Sequence, residues 1–206
     1  MKLVLASGNP GKVAELRGLL AGSVIELVAR SAFDSANPAE TGTTFIENAI
    51  IKARHAATAS GLPTLADDSG ICVDALNGAP GLYSALYAGT HGDNAANNAK
   101  LLRELEGIPD PERTAHFVCV LALLRTADDP DPIIATGRWQ GRITRAPRGS
   151  NGFGYDPVFL PDDGSGLTSA ELDPAVKNRI SHRGQALAAL RDALGTRDRG
   201  QGTSNE

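Results

Sequence analysis

The chain opens with a short apolar run, Lys2 to Ala6, which breaks at Ser7-Gly8-Asn9-Pro10-Gly11-Lys12 and resumes as Val13, Leu16, Leu19 and Leu20 at helical spacing. A strand that hands over to a helix through a Gly/Pro turn commits the chain to the interleaved α/β class. The pattern continues with a second strand over Val24 to Val28 and a polar loop from Ser31 to Gly42. Thr44 followed three residues later by Glu47 is a capping box, predicting a helix that carries Phe45, Ile46, Ala49, Ile50, Ala53 and Ala57 inward until Gly61 stops it. Asn48, Lys52 and His55 share another face of that helix.

Thr64 to Asp67 and Ile71 to Leu76 read as two strands around a turn at Asp67-Asp68-Ser69-Gly70, followed by the breaker Asn77 to Gly81. Asp93 caps a helix running to Glu106. The apolar run His116 to Leu124 and the more broken Ile133 to Thr144 read as an antiparallel pair across an Asp/Pro turn. A Gly-rich loop at Gly149 to Gly154 precedes a short helix begun by Asp173-Pro174 and an amphipathic one over Ser181 to Leu194. Parallel-type and hairpin-type strands together predict a long mixed β-sheet with flanking helices. With 206 residues there is core enough for one ordinary domain or two small lobes, and composition marks no boundary between them; the polar stretch 196–206 is expected to be a disordered tail. Aromatics make up only 4%, so Ala, Leu, Val and Ile are expected to fill the core, and 23 Gly with 12 Pro exclude a helical bundle.

A net charge of −4 offers no long-range field for gathering a nucleic-acid polymer, so any polyanionic ligand must be met locally. No run reaches the roughly 18 apolar residues of a membrane span, and the chain reads as cytoplasmic. Cys72 and Cys119 lack CxxC spacing and lie in apolar stretches, which predicts buried free thiols. His55, His91 and His116 have no metal-ligand spacing.

Four clusters can carry chemistry. In Ser7 to Lys12, backbone N–H groups and a helix N-terminus can meet phosphate oxygens while Lys12 adds a mobile charge. It is not a Walker A loop, which needs GxxxxGK followed by Ser or Thr; here Val13 follows the lysine. Asp67-Asp68, with Glu40 and Glu47 flanking the capped helix, is the second. Adjacent aspartates alone mark a solvated turn, but an acidic pair beside a phosphate-cradling loop suits Mg²⁺, which takes one or two carboxylates plus phosphates and waters. Successive strand residues face opposite ways, so the two aspartates can divide structural and catalytic roles. The third is Ser150 to Pro157, where glycines on both sides of Phe153 can expose an aromatic face for a purine to stack on. The alternative is a strand-entry turn with Phe153 in the core. Lys177 with Ser181-His182-Arg183-Gly184 is the fourth.

Together with Gly78-Ala79-Pro80-Gly81, these motifs resemble, in order and spacing from Leu3 to Leu194, the inosine/xanthosine triphosphate pyrophosphatase family. The resemblance implies a single α/β domain over 1–195, two-lobed around an active-site cleft, in a homodimer that hydrolyses non-standard purine nucleoside triphosphates with Mg²⁺, releasing monophosphate and pyrophosphate. By the same resemblance, Ser7, Gly8, Asn9, Pro10, Gly11 and Lys12 bind the triphosphate with Lys52 and Ser69. Glu40 and Asp68 serve the metal, and Asp68 is the catalytic residue, as metal ligand or as base. Phe153, Gly154, Tyr155, Asp156, Lys177, His182 and Arg183 hold the base and sugar. Two positions depart from the family pattern: Leu86 stands where arginine is usual, and Val176 where glutamate is. Selectivity has a physical logic. A donor at C6 rejects adenine, and a donor such as Arg183 near C2 favours xanthine's oxygen over guanine's amino group. The nearest rival is a septum-inhibitor-type nucleotide pyrophosphatase, against which the Ser181-His182-Arg183 cluster argues. A catalytically silent nucleotide-binding module is the other, against which Asp68 argues.

Overall fold

In the computed structural model, which describes residues 2–21, 25–33 and 38–200 (196–200 by backbone alone), the opening pattern becomes strand β1 (Lys2–Ala6) and helix α1 (Pro10–Leu20). Pro10 suits the first helical position, where its missing N–H costs nothing. Strand β2 is Glu26–Ala29; the expected start at Val24 lies outside the described residues. Helix α2 (Phe45–Ser60) begins at the capping box, Thr44 accepting from the Glu47 N–H at 3.2 Å and Glu47 from the Thr44 N–H at 3.0 Å. It ends at Gly61, whose φ of 66° is the left-handed cap that glycine adopts most readily.

Not every expectation holds: Cys72, expected to be buried, is only half-buried. No turn interrupts Asp67-Asp68-Ser69-Gly70; β3 (Thr64–Val73) is a single strand running through it. Each aspartate finds a cation on its own face of the sheet, so a solvated turn is not needed to satisfy them. Helix α3 (Asn94–Glu104) is capped by Asp93, and strands β4 (Thr114–Leu124) and β5 (Ile133–Ile143) are neighbours across the Asp/Pro turn. The short β6 (Phe159–Pro161) and helices α4 (Pro174–Ile180) and α5 (His182–Gly200) complete the fold. The backbone of α5 stays helical to Gly200, into the stretch expected to be disordered; residues 201–206 lie outside those described.

The sheet order is β2-β1-β3-β4-β5-β6, with β1 parallel to β2 and β3 and β6 antiparallel to β5, the mixed sheet that the sequence predicts. The chain divides into two compact units: unit 1 holds Met1–Asp68, Cys119–Gly137 and Arg183–Glu206, unit 2 Ser69–Val118 and Arg138–His182. In unit 1 the period of two sorts the core. Leu3, Leu5, Leu65, Cys119 and Leu121 pack with Leu16 of α1 and Leu187 of α5, while Val4, Ala6, Ala66, Val120 and Ala122 pack with Ala49, Ala53 and Ala56 of α2. Unit 1 is aliphatic, as composition predicts, but unit 2 concentrates the aromatics: Phe117, Trp139, Tyr155 and Phe159 share one cluster. Among the described residues no helix is long and apolar enough to cross a membrane.

The turn between β4 and β5 is closed by Asp129, only 2% exposed. It accepts from the Arg125 N–H and Nε, both at 2.9 Å, and from Arg125 Nη2 at 2.7 Å. These hydrogen bonds hold its carboxyl well below the usual range, against the opposing effect of burial. A depressed folded pKa gives stability that is complete above about pH 4 and lost as the pH falls below it. Asp129→Asn is therefore expected to lower Tm by about 5 °C at neutral pH, a gap that narrows below pH 4. Thermal melts of both proteins across pH 3–7 check this, and a gap independent of pH contradicts it.

Candidate functional site

Parallel pairing of β1 with β3 sets Ala6 opposite Ala66, so the Ser7–Lys12 loop leaves the carboxyl end of β1 where β3 continues through Asp67-Asp68. Open α/β sheets bind ligands at such ends. Within the loop, Asn9 Oδ1 accepts from the N–H groups of Gly11 at 2.9 Å and Lys12 at 3.2 Å, and Ser7 Oγ accepts from the Asn9 N–H at 3.3 Å. An oxygen thus already sits on helix N-terminal amides suited to a phosphate oxygen.

Strand alternation sends the two aspartates to opposite faces of unit 1. Asp67 follows Leu65 toward α1 and α5, where its Oδ1 meets Lys12 Nζ at 2.6 Å and its Oδ2 meets Arg183 Nε at 2.8 Å and Cys119 Sγ at 3.3 Å. Burial opposes ionisation of Asp67, but Arg183 and Lys12 outweigh it and hold the carboxyl well below its usual range. Burial, with Asp67 alongside, pushes the Cys119 thiol far up, so it stays protonated and donates. Arg183 also pairs with Glu15.

Asp68 follows Ala66 toward α2, where its Oδ1 meets Lys52 Nζ at 2.6 Å; the same ammonium lies 3.3 Å from Glu40 Oε1. Burial raises the Asp68 carboxyl from its ordinary value, despite the opposing pull of Lys52 and Lys12. Lys52 is itself raised, because Asp68 and Glu40 outweigh the cost of its burial.

In unit 2 the Gly-rich loop is organised by Asp156, 3% exposed. Its Oδ2 accepts from the Phe153 N–H at 2.8 Å and Lys177 Nζ at 2.6 Å, and its Oδ1 from Ser169 Oγ at 2.8 Å. Gly152 is required here: at φ +77° a Cβ would sit 2.0 Å from Asp156 Oδ2. Asn98 Nδ2 donates to the Gly154 carbonyl at 2.9 Å, and the Tyr155 hydroxyl to the Ser84 carbonyl at 2.9 Å. Lys177 Nζ lies 5.4 Å from the centre of the Phe153 ring. A cavity of about 480 Å³ lies between α3 and this loop, lined by Asn98, Leu102, Gly152, Phe153 and Gly154 among others. His182 is buried and stacks on Phe117 at 4.7 Å. Ser69 is half-buried on β3, and Leu86 is exposed beside Tyr83 on a short 3₁₀ turn.

Of the residues picked from the sequence, unit 1 gathers the Ser7–Lys12 loop, Glu40, Lys52 and Asp68, and unit 2 gathers Phe153 to Asp156 with Lys177. Arg183, expected near the base, has Nε and Nη1 engaged by Asp67 and Glu15 inside unit 1. Sequence reasoning missed Glu15, Ser169 and Asn98. Glu15 had a signal, three residues beyond Lys12 on the same helix; Asn98 had none, since its partner lies 56 residues away.

Fold and side chains define a class: a mixed-sheet α/β protein with a cationic strand-end loop and carboxylates paired to lysines, an outfit suited to handling phosphates. Within that class the chain belongs to the Ham1 family, whose model matches residues 3–193. It is 57% identical to a dITP/XTP pyrophosphatase of Vibrio cholerae, over 94% of this chain and 96% of that one. It is 59% identical to one of Xanthomonas campestris, over 93% and 96%. Among solved structures, a HAM1 protein from Coxiella burnetii superposes with a TM-score of 0.86 at 50% identity, over 95% of this chain and 99% of that one. The Staphylococcus aureus Ham1 protein gives 0.83 at 37%, over 96% and 100%.

Proposed function

We propose that this protein is a Mg²⁺-dependent pyrophosphohydrolase that cleaves dITP, ITP and XTP to the monophosphate and pyrophosphate, clearing non-standard purines from the nucleotide pool. The carrying observation is the set on β3 just past the carboxyl end of β1: buried Asp68 with Lys52 and Glu40, beside a loop whose amides already hold an oxygen. Relatives named dITP/XTP pyrophosphatase, at 57% and 59% identity over more than nine tenths of the chain, support the substrate class. The reading includes a homodimer and a cytoplasmic location.

The donor set suits Mg²⁺. Asp68 and Glu40 are two hard oxygen donors on one cation already, the Lys52 ammonium, and Mg²⁺ asks little more of protein when a triphosphate supplies the rest. Held by Asp68 and Glu40, Mg²⁺ would supply neutralisation of phosphate charge and a more acidic water. Lys12 and Lys52 stabilise charge gathering on the pyrophosphate, with the loop amides orienting the chain of phosphates. Asp68, as metal carboxylate or as base, directs a water at the α-phosphorus. In unit 2, Phe153 offers its ring to the purine and Lys177, held by Asp156, supplies a donor for an oxo group.

The deciding assay is product analysis with ITP and Mg²⁺. One pyrophosphate per IMP is expected, with turnover of ATP lower by at least about a hundredfold. Release of orthophosphate would make the protein a γ-phosphatase instead.

A further inference from the structure

We propose that Arg183 acts at the phosphate end of the reaction as a positioning residue: by holding Asp67 it lets Lys12 leave that carboxylate for the substrate's phosphates. The inference rests on the phosphate-loop reading above and assigns Arg183 a role distinct from recognition of the base.

Lys12 and Arg183 share Asp67 unequally. Lys12 takes Oδ1 from a flexible stem at the start of α1 with 15% of its side chain exposed; Arg183 takes Oδ2 and is 2% exposed. A lysine drawn off a fully buried carboxylate ordinarily strands a charge, which is the costly way to break a buried pair. Here the Arg183 guanidinium and the Cys119 thiol stay on Oδ2 after Lys12 goes, so Asp67 keeps a counter-ion. Arg183 is in turn shared with Glu15, three residues after Lys12 on α1. The more Glu15 draws on the guanidinium, the more Asp67 depends on Lys12. Glu15 and Arg183 therefore set, in opposite directions, how readily Lys12 is released. All five residues belong to unit 1.

The test uses a probe with no base: a non-hydrolysable imido analogue of inorganic tripolyphosphate, as its Mg²⁺ complex, titrated calorimetrically into the full-length protein. Arg183→Gln is expected to weaken its binding about tenfold, because Lys12 becomes the remaining cation of this Asp67 trio. Glu15→Gln is expected to tighten it about threefold by committing Arg183 to Asp67. In a Lys12→Gln background both effects should vanish. Unchanged binding of the analogue in Arg183→Gln, with ITP binding lost, overturns the proposal in favour of base recognition. Should Arg183→Gln not fold, Glu15→Gln decides alone, and unchanged or weaker binding overturns it. If Lys12→Gln by itself leaves the analogue's affinity intact, the phosphate-loop reading fails, a result distinct from the other two.

Discussion

Asp68→Asn is expected to lower kcat for ITP by about a thousandfold or more while leaving KM within about tenfold and the fold intact. The substitution is nearly isosteric and removes only charge. Asparagine can still accept from Lys52 through its amide oxygen, and Lys52 keeps Glu40 at 3.3 Å, so the buried ammonium retains a carboxylate. The desolvation that pushes the Asp68 carboxyl up also disappears with the charge, which moderates the stability loss. What cannot be replaced is a negative oxygen able to hold a divalent cation or take a proton from water. In the proposed mechanism the triphosphate is held by the loop amides and Lys12, which the substitution leaves in place. Single-turnover kinetics with Mg²⁺ separate binding from chemistry, and a kcat within tenfold of the parent would remove Asp68 from the mechanism.

How much was legible beforehand follows the range of the interactions. The capping box at Thr44 and Glu47, the Pro10 start of α1 and the Asp93 and Asp173 caps are settled within a few residues, and each helix begins where its local signal lies. Asp67-Asp68-Ser69-Gly70 misled because the same four residues carry turn propensity and strand function. Their partners, Lys12, Lys52 and Arg183, arrive from three different helices, up to 116 residues away, and a local window contains none of them. The period of two nevertheless foresaw that the aspartates face opposite ways; what it could not supply was the cation waiting on each side. Cys119 shows the same limit. Its apolar surroundings predict a buried thiol, which it is, yet nothing local places Asp67 against it. The aromatic content was a true average over two unlike cores, since composition cannot say that β4, β5 and the following loop collect their rings in unit 2.

Asp156→Ala carries the second large expected effect, and it is first an effect on stability. Asp156 accepts three hydrogen bonds from groups far apart in sequence: the Phe153 amide, the Ser169 hydroxyl and the Lys177 ammonium, the last 5% exposed. Removing the carboxylate takes the counter-ion from a buried lysine, a loss of about 3–5 kcal/mol, which for a chain of this size lowers Tm by about 10 °C. The kinetic consequence follows from the same bonds. Freed of its anchor, the Phe153 amide no longer fixes the ring against Lys177, so KM for ITP should rise about tenfold or more while binding of the base-free tripolyphosphate analogue stays near the parent value. Asp156→Asn divides the two effects. Its amide oxygen can keep one of the donors, so the melting loss should be smaller, but the charge that pairs with Lys177 is gone and the KM penalty should persist. A melt of Asp156→Ala within about 1 °C of the parent, or an equal loss of analogue and ITP binding, would mean that this carboxylate does not organise the base end at all.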